Sequence, residues 1–237
     1  MLDDIEELLR SVAGVGDDIA HDLRTPLTNV RMTLERGRNN ATDLDELKGA
    51  VDRAIAGLDQ SLTMVTALLR IAEIEHSRRL VGFRDIELAE LVRDVGDLYD
   101  PMAKDKGVAL TVDAGERIFV RRDRDLLFEA IANLVDNAVK FTPECGHVGL
   151  TLCRFGETSV VRVSDTGRGI GASERDLVTR RFYRSDKSRG EAGLGLGLSL
   201  VVAIVKLHGF QFAISPAPAG RGCIAEIIFG PAAAHAT

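Results

Sequence analysis

Cysteine is scarce in this chain. Cys145, Cys153 and Cys223 are its only three. An odd number without CxxC or Cys/His ligand spacing points to reduced thiols in a cytosolic setting rather than to disulfides or zinc. Basic runs are missing too, and with a formal net charge of −6 this argues against a nucleic-acid partner. No unbroken apolar run is long enough to cross a bilayer. The longest, Gly193–Val205, is punctuated by glycine and stops at Lys206. No signal peptide or membrane anchor is expected. Internal repeats and low-complexity segments are likewise absent. What remains is a chain of 237 residues with a globular hydrophobic fraction of 45%, enough for two domains with their own cores.

The first part reads as helix. Ile5, Leu9, Val12, Ile19, Leu23 and Val30 follow a 4-3-4-3 spacing, interrupted only at Gly16, and define a buried stripe. At about 100° per residue, His21 points roughly 180° from the Ile19/Leu23 direction and Thr25 lies about 40° from His21. His21 is therefore exposed, with Asp22 beside it and a hydroxyl one turn on. A carboxylate there can orient the imidazole or take its proton, leaving the other ring nitrogen as a nucleophile. Pro26 cannot donate to the carbonyl of Asp22, so a bend is expected next to the histidine. This helix is expected to run from about Leu2 to Arg36 and to break at Gly37, with Thr42 and Asp45 forming a capping box for a second helix. Leu44, Leu47, Val51, Leu58, Leu62, Val65, Leu69 and Ala72 give that second helix a near-heptad stripe. Residues 1–76 thus form a helical hairpin whose two arms cannot enclose their own stripes. Pairing with a second copy into a four-helix bundle would bury both, which makes a homodimer the expected state.

From about residue 83 the pattern changes to strands alternating with helices. Strands fit Val108–Val112, Arg117–Val120, Val148–Cys153 and Ser159–Val163, with Thr158 placed in a Gly-Glu-Thr turn. Helices fit Leu88–Lys104, Asp123–Phe141 and Leu196–His208, and a final strand pair fits Phe210–Ser215 and Cys223–Phe229. The expected fold is an α/β sandwich over 83–237. His76, His147, His208 and His235 stand at helix ends, near turns or in the tail, where no direct role is expected.

Three constellations in this region carry chemistry. Asn133, Asn137 and Lys140 fall within about 60° of one another on one helix. An amide oxygen can ligate Mg²⁺ and an ammonium can meet phosphate, although a polar helix face can also be simply solvated. Asp165-Thr-Gly-Arg-Gly-Ile170 follows an apolar strand; its carboxylate can accept from the amino group of adenine, and Gly167 and Gly169 let backbone approach a flat ring. An ordinary turn has the same composition. Gly193-Leu-Gly-Leu-Gly-Leu198 opens a helix, so Gly193, Gly195 and Gly197 can present amide N–H groups to phosphates. It is neither a P-loop nor a G-x-G-x-x-G fingerprint. Between the last two lies Arg181-Phe-Tyr-Arg-Ser-Asp-Lys-Ser-Arg189, a cationic stretch with an aromatic pair that could close over an anion.

In their order and separations these motifs resemble the transmitter module of two-component sensor histidine kinases over essentially the whole chain. Ile19–Leu27 resembles the H box, and Asn133–Thr142, Asp165–Ile170, Arg181–Arg184 and Gly193–Leu198 resemble the N, G1, F and G2 boxes of a GHKL-type ATP-binding domain. The resemblance implies that His21 is the phosphoacceptor, Asp22 its activating base, Asn137 the Mg²⁺ ligand, Lys140 a phosphate contact and Asp165 the adenine reader. It places Phe182, Tyr183 and Arg184 in the lid. It also implies that Asn133 replaces the water-activating glutamate of ATP-hydrolysing relatives, and that Asp22-Leu-Arg-Thr25 matches a phosphatase pattern, with Thr25 orienting water. Thr179 departs from the family, which usually carries phenylalanine there.

The implied protein is a kinase that autophosphorylates His21 from ATP and Mg²⁺ and hands the phosphoryl group to a receiver-domain aspartate. Its implied setting is the cytoplasm, joined to a membrane only through a sensor portion outside this chain. The competing reading is a dimeric phosphotransfer or docking module whose nucleotide domain is degenerate.

Overall fold

The computed structural model describes residues 27–76, 83–183, 185, 195–218 and 221–230. The histidine motif at residues 19–26, its expected bend at Pro26 and the expected helical start at Leu2 lie outside them. Packing divides the chain into two compact units, Met1–Glu73 and Ile74–Thr237.

In the first unit, helix α1 covers 27–40 and α2 spans Leu44–His76. Helix α1 does not break at Gly37. It continues through Asn40, and the Ala41 N–H donates to the Gly37 carbonyl at 3.0 Å. A helical glycine costs about 1 kcal/mol relative to alanine, but here its missing side chain is what brings the helices together. A Cβ at position 37 would lie 2.4 Å from the Cβ of Ala50. The cap of α2 is also shifted by one residue from the expected Thr42/Asp45 pair. Asp43, immediately before the helix, accepts the Glu46 N–H at 2.8 Å, while Glu46 reaches back to the Thr42 N–H and hydroxyl at 2.9 and 3.1 Å. Those hydrogen bonds hold the Glu46 carboxyl below its usual range.

Helix α2 has two unlike faces. Ala50, Ala54, Ser61, Leu68 and Ile71 are buried, and the Ser61 hydroxyl is satisfied by the Gly57 carbonyl at 2.8 Å. Leu44, Leu47, Val51, Ile55, Leu58, Leu62 and Leu69 are exposed. By length and composition Leu44–Ile74 is apolar enough to cross a membrane, with a mean hydropathy of 1.2. A search for unbroken apolar runs misses it because Asp52, Arg53 and Asp59 interrupt the stretch.

The second unit is built on a five-stranded sheet in the order β2-β4-β5-β7-β6, formed by Ala109–Asp113, His147–Phe155, Thr158–Asp165, Cys223–Phe229 and Gln211–Pro216. Strand β2 runs parallel to β4 and the other pairs are antiparallel. Helices α3 (Leu88–Asp105), α4 (Arg124–Phe141) and α5 (Gly197–Leu207) pack on one another in that order and against the sheet. The core joins Leu91, Val92 and Val95 of α3, Leu127, Ile131 and Val135 of α4, and Val201 and Ile204 of α5 with Leu150, Val161 and Ile227 of the sheet. Each such side chain contributes about 1.5–3 kcal/mol by leaving water.

Two strand expectations are corrected. The strand expected at Arg117–Val120 forms at Phe119–Asp123 (β3), because its partner is Phe83–Glu87 (β1), which pairs Phe83 with Asp123 and Glu87 with Phe119. Thr158 is in β5 opposite Phe155, and the turn is Gly156–Glu157 alone. His208 is buried rather than idle at a turn. Its Nδ1–H donates to the Ile204 carbonyl at 2.8 Å, its Nε2 accepts the Asp123 N–H at 3.3 Å, and the ring stacks on both Phe83 and Phe210.

Candidate functional site

Helix α4 supplies the first wall. Asp123 caps it, its carboxylate accepting from the Asp125 and Leu126 N–H groups at 3.0 and 3.1 Å. Leu127, Ala130, Ile131, Leu134, Val135 and Ala138 take the buried face, which leaves Asn133, Asn137 and Lys140 half-buried on the other side. The Asn133 Nδ2 donates to the Glu129 carbonyl at 2.8 Å, so its Oδ1 turns outward. The first residue of α5 meets that oxygen: a Cβ at Gly197 would lie 2.9 Å from Asn133 Oδ1 and 3.4 Å from Asn137 Nδ2. Glycine at 197 lets the start of α5 sit against the two carboxamides without displacing the Asn133 side chain. Leu196, the N-cap of α5, makes no side-chain cap hydrogen bond, and the first-turn N–H groups of a helix are suited to an anion.

The second wall is the turn after β5. The Asp165 carboxylate accepts the Gly167 N–H at 2.8 Å. Burial pushes its pKa above the usual carboxylate range, opposed by the Gly167 and Cys223 N–H groups. Gly167 passes over the end of α4, where a Cβ would lie 2.5 Å from the Phe141 carbonyl oxygen. Arg168 then stacks its guanidinium 4.4 Å from the Phe141 ring centroid, and the Lys140 ammonium stands 5.4 Å from the same ring. Behind Asp165 the start of β7 closes in. Gly222 has φ +95, and a Cβ there would fall 1.8 Å from the Asp165 carbonyl oxygen. Burial beside the Asp165 charge pushes the Cys223 thiol up to about 12, which keeps it protonated and unreactive.

A third segment joins these walls. The Phe182 N–H donates to the Gly195 carbonyl at 3.0 Å, with Phe182 itself in the left-handed region at φ 61, and the Tyr183 hydroxyl donates to Glu174 at 3.0 Å. Thr179 turns its hydroxyl onto the Asp176 carbonyl at 3.3 Å. Asn133, Asn137, Gly195, Gly197 and Phe182 therefore form one contact chain, and Asp165, Gly167 and the end of α4 form a second that meets it on that helix. Gly169 packs on Gly222 behind the Asp165 turn, where a Cβ would lie 2.9 Å from the Gly222 carbonyl oxygen. His21, Asp22, Thr25, Arg184 and Gly193 lie outside the described residues. Sequence reasoning missed Gly222, because a lone glycine in a Pro/Gly turn gives no sign of the carbonyl it must pass.

Comparison with known proteins agrees with this geometry. Residues 16–77 match the His Kinase A (phospho-acceptor) domain, and residues 122–232 match the histidine kinase-, DNA gyrase B- and HSP90-like ATPase family. The chain is 30% identical over 231 residues to the probable sensor protein PcoS of Escherichia coli, covering 97% of this chain and 48% of that protein. It is 29% identical over 220 residues to the sensor protein IrlS of Burkholderia pseudomallei, covering 92% and 47%. It spans about half the length of these curated relatives. Among solved structures, the mycobacterial sensor histidine kinase MprB is 28% identical with a TM-score of 0.54, covering 62% of this chain and 96% of that one. With a phosphoacceptor-type hairpin followed by an ATPase-type sandwich, the chain belongs to the transmitter modules of two-component sensor histidine kinases.

Proposed function

We propose that the chain is the cytoplasmic catalytic core of a protein-histidine kinase that phosphorylates His21 from ATP and transfers the phosphoryl group to a response-regulator aspartate. The observation that carries the reading is the seating of Gly197 on Asn133 and Asn137, which aims the uncapped start of α5 at the polar face of α4. ATP is the substrate, with Asp165 reading its base and Lys140 and the α5 N–H groups meeting its phosphates. Guanine presents a carbonyl where adenine has its amino group, so the half-buried Asp165 carboxylate would face an acceptor. Asn137 would hold Mg²⁺ through its carboxamide oxygen. Among the described residues no group of three His, Cys, Asp or Glu is placed to hold a metal, a donor set that suits an ion held mainly by phosphate and water. When bound, that ion neutralises charge on the phosphates.

In the transfer, a His21 ring nitrogen forms a bond to the γ-phosphorus as the bond to the ADP oxygen breaks, and Asp22 accepts the ring proton. Asn133 cannot take a proton from water at neutral pH, which disfavours hydrolysis over transfer. The phosphoryl group then leaves the imidazole for a carboxylate oxygen of the receiver. Thr25, four residues after His21 in the sequence, orients water for attack on the regulator's aspartyl phosphate, which releases inorganic phosphate and the free carboxylate. The exposed α2 stripe supports a homodimer through the hairpin.

Incubation with γ-labelled ATP tests the reading: label is expected on His21, with GTP failing to compete. Equal affinity for the two nucleotides, or label retained after His21→Gln, overturns it.

A further inference from the structure

The last turn of α4 ends in four carbonyls that no intrahelical N–H can satisfy. Ala138 accepts from the Thr142 N–H and hydroxyl at 3.1 and 2.7 Å. Phe141 points its carbonyl at the Gly167 turn. The two between them, Val139 and Lys140, are both taken by the ammonium of Lys106, at 2.9 Å for Val139. Lys106 is the C-cap of α3, and the turn behind it is fixed. The Gly107 N–H donates to Lys104 at 2.9 Å, the Val108 N–H to Ala103 at 2.8 Å, and the Gly107 carbonyl accepts from Cys145 at 2.8 Å. A cation also suits the negative end of the helix dipole. At the opposite end of α4, Arg124 pairs with Asp94 of α3. The two ties differ in position: only Lys106 lies at the end that carries Lys140 and receives the Asp165 turn.

We propose that Lys106 is a positioning residue for the nucleotide phosphates. By closing the Val139 and Lys140 carbonyls it holds the final turn of α4 in register, and so sets where the Lys140 side chain reaches. Its own ammonium is spent on those carbonyls, so it acts through Lys140. The inference rests on the reading of Lys140 as a phosphate contact.

The test uses the full chain, measuring affinity for Mg²⁺-ATP and for adenosine by calorimetry. Lys106→Met keeps the stem and loses the donor. It is expected to weaken ATP binding about tenfold while adenosine stays within about twofold, with KM for ATP raised and kcat for His21 labelling unchanged. Lys106→Arg is expected to restore most of the ATP affinity. In the Lys106→Met/Lys140→Met double variant the loss is expected to equal that of Lys140→Met alone, because one residue acts through the other. Additive losses, or equal losses for ATP and adenosine, overturn the proposal. Failure of Lys140→Met alone to weaken ATP binding overturns instead the reading of Lys140 on which it rests.

Discussion

The two units differ in how much apolar surface a single helix leaves open. In the α/β unit the large side chains are inside: Leu127, Ile131, Leu150, Ile204 and Ile227 are fully enclosed by helices and sheet. In the hairpin Leu68 and Ile71 of α2 are buried as well, and Gly37 and Gly57 let α1 and α2 approach at Ala50 and Val30, but Leu44, Leu47, Leu58, Leu62 and Leu69 of α2 are exposed. Leu62 keeps 58% of its surface exposed. The α/β unit leaves only scattered large apolar side chains exposed, among them Leu98, Phe119 and Phe155, whereas α2 exposes a continuous row of them. The division matches the proposed labour, in which the α/β unit binds ATP and His21, in the sequence of the hairpin unit, accepts the phosphoryl group.

The sharpest way to separate the units is to remove the acceptor. His21→Gln is expected to abolish labelling from γ-labelled ATP while ADP affinity, measured by calorimetry, stays at the wild-type value. A parallel loss of ADP binding would break the division. Next comes the exposed row on α2. Leu62→Asp, in the middle of the exposed stripe, is expected to convert the dimer to monomer at micromolar concentration in sedimentation, and to leave ADP binding unchanged. Leu127→Ala, in the α/β core, is expected to cost about 2–5 kcal/mol in denaturant unfolding of that unit without altering the dimer. If Leu62→Asp leaves the mass unchanged, the stripe has another role.

A smaller effect tests chemistry on the hairpin alone. Thr25→Ala is expected to slow dephosphorylation of the regulator about tenfold, roughly 1.4 kcal/mol of transition-state stabilisation, with His21 labelling intact. Smallest is a pH effect confined to the α/β unit. Burial holds the His208 pKa below its ordinary 6.5, so the folded state binds fewer protons than the unfolded chain. Its contribution to stability is complete above about pH 6.5 and is lost as pH falls through the folded value. Chemical denaturation of the wild type is expected to show declining stability below that pH, and His208→Gln to flatten the slope. An unchanged slope would assign the acid sensitivity elsewhere.

Much of this was legible in the residues, for reasons that differ by element. Helix α4 was readable to within a residue because Asp123 is a strong cap and Leu127, Ile131, Leu134 and Ala138 keep one phase. The start of α5 was readable because alternating glycines before an apolar run mark a helix N-terminus, and α5 begins at Gly197. Strand β1 was not, since Phe-Arg-Asp-Ile-Glu shows no alternation and is held by pairing with β3, which follows α3 and β2 in the chain. The end of α1 was misjudged because glycine breaks a helix by propensity but can also mark where a second helix must approach. Lys106 was invisible for a related reason. A lysine at a helix end is ordinary on a surface, and only the folded chain shows whose carbonyls it serves. His208 stands beside a turn in the sequence, whereas its burial comes from Phe83, distant along the chain, and from Phe210, two residues on.

Gly222 has a consequence for how this gene tolerates change. Its backbone is left-handed and the space a side chain would fill is already held by the main chain of Asp165 and Thr166. Relief would require moving the strand end that carries Asp165, since neither obstacle is a flexible side chain. No replacement is conservative at such a position, alanine included. In a scan of every single substitution scored by kinase output, position 222 would therefore stand beside Asp165 among the intolerant sites, although glycine offers no side chain with which to touch a ligand. Intolerance there measures the fixity of the turn that carries Asp165, and selection would read it as if it were chemistry.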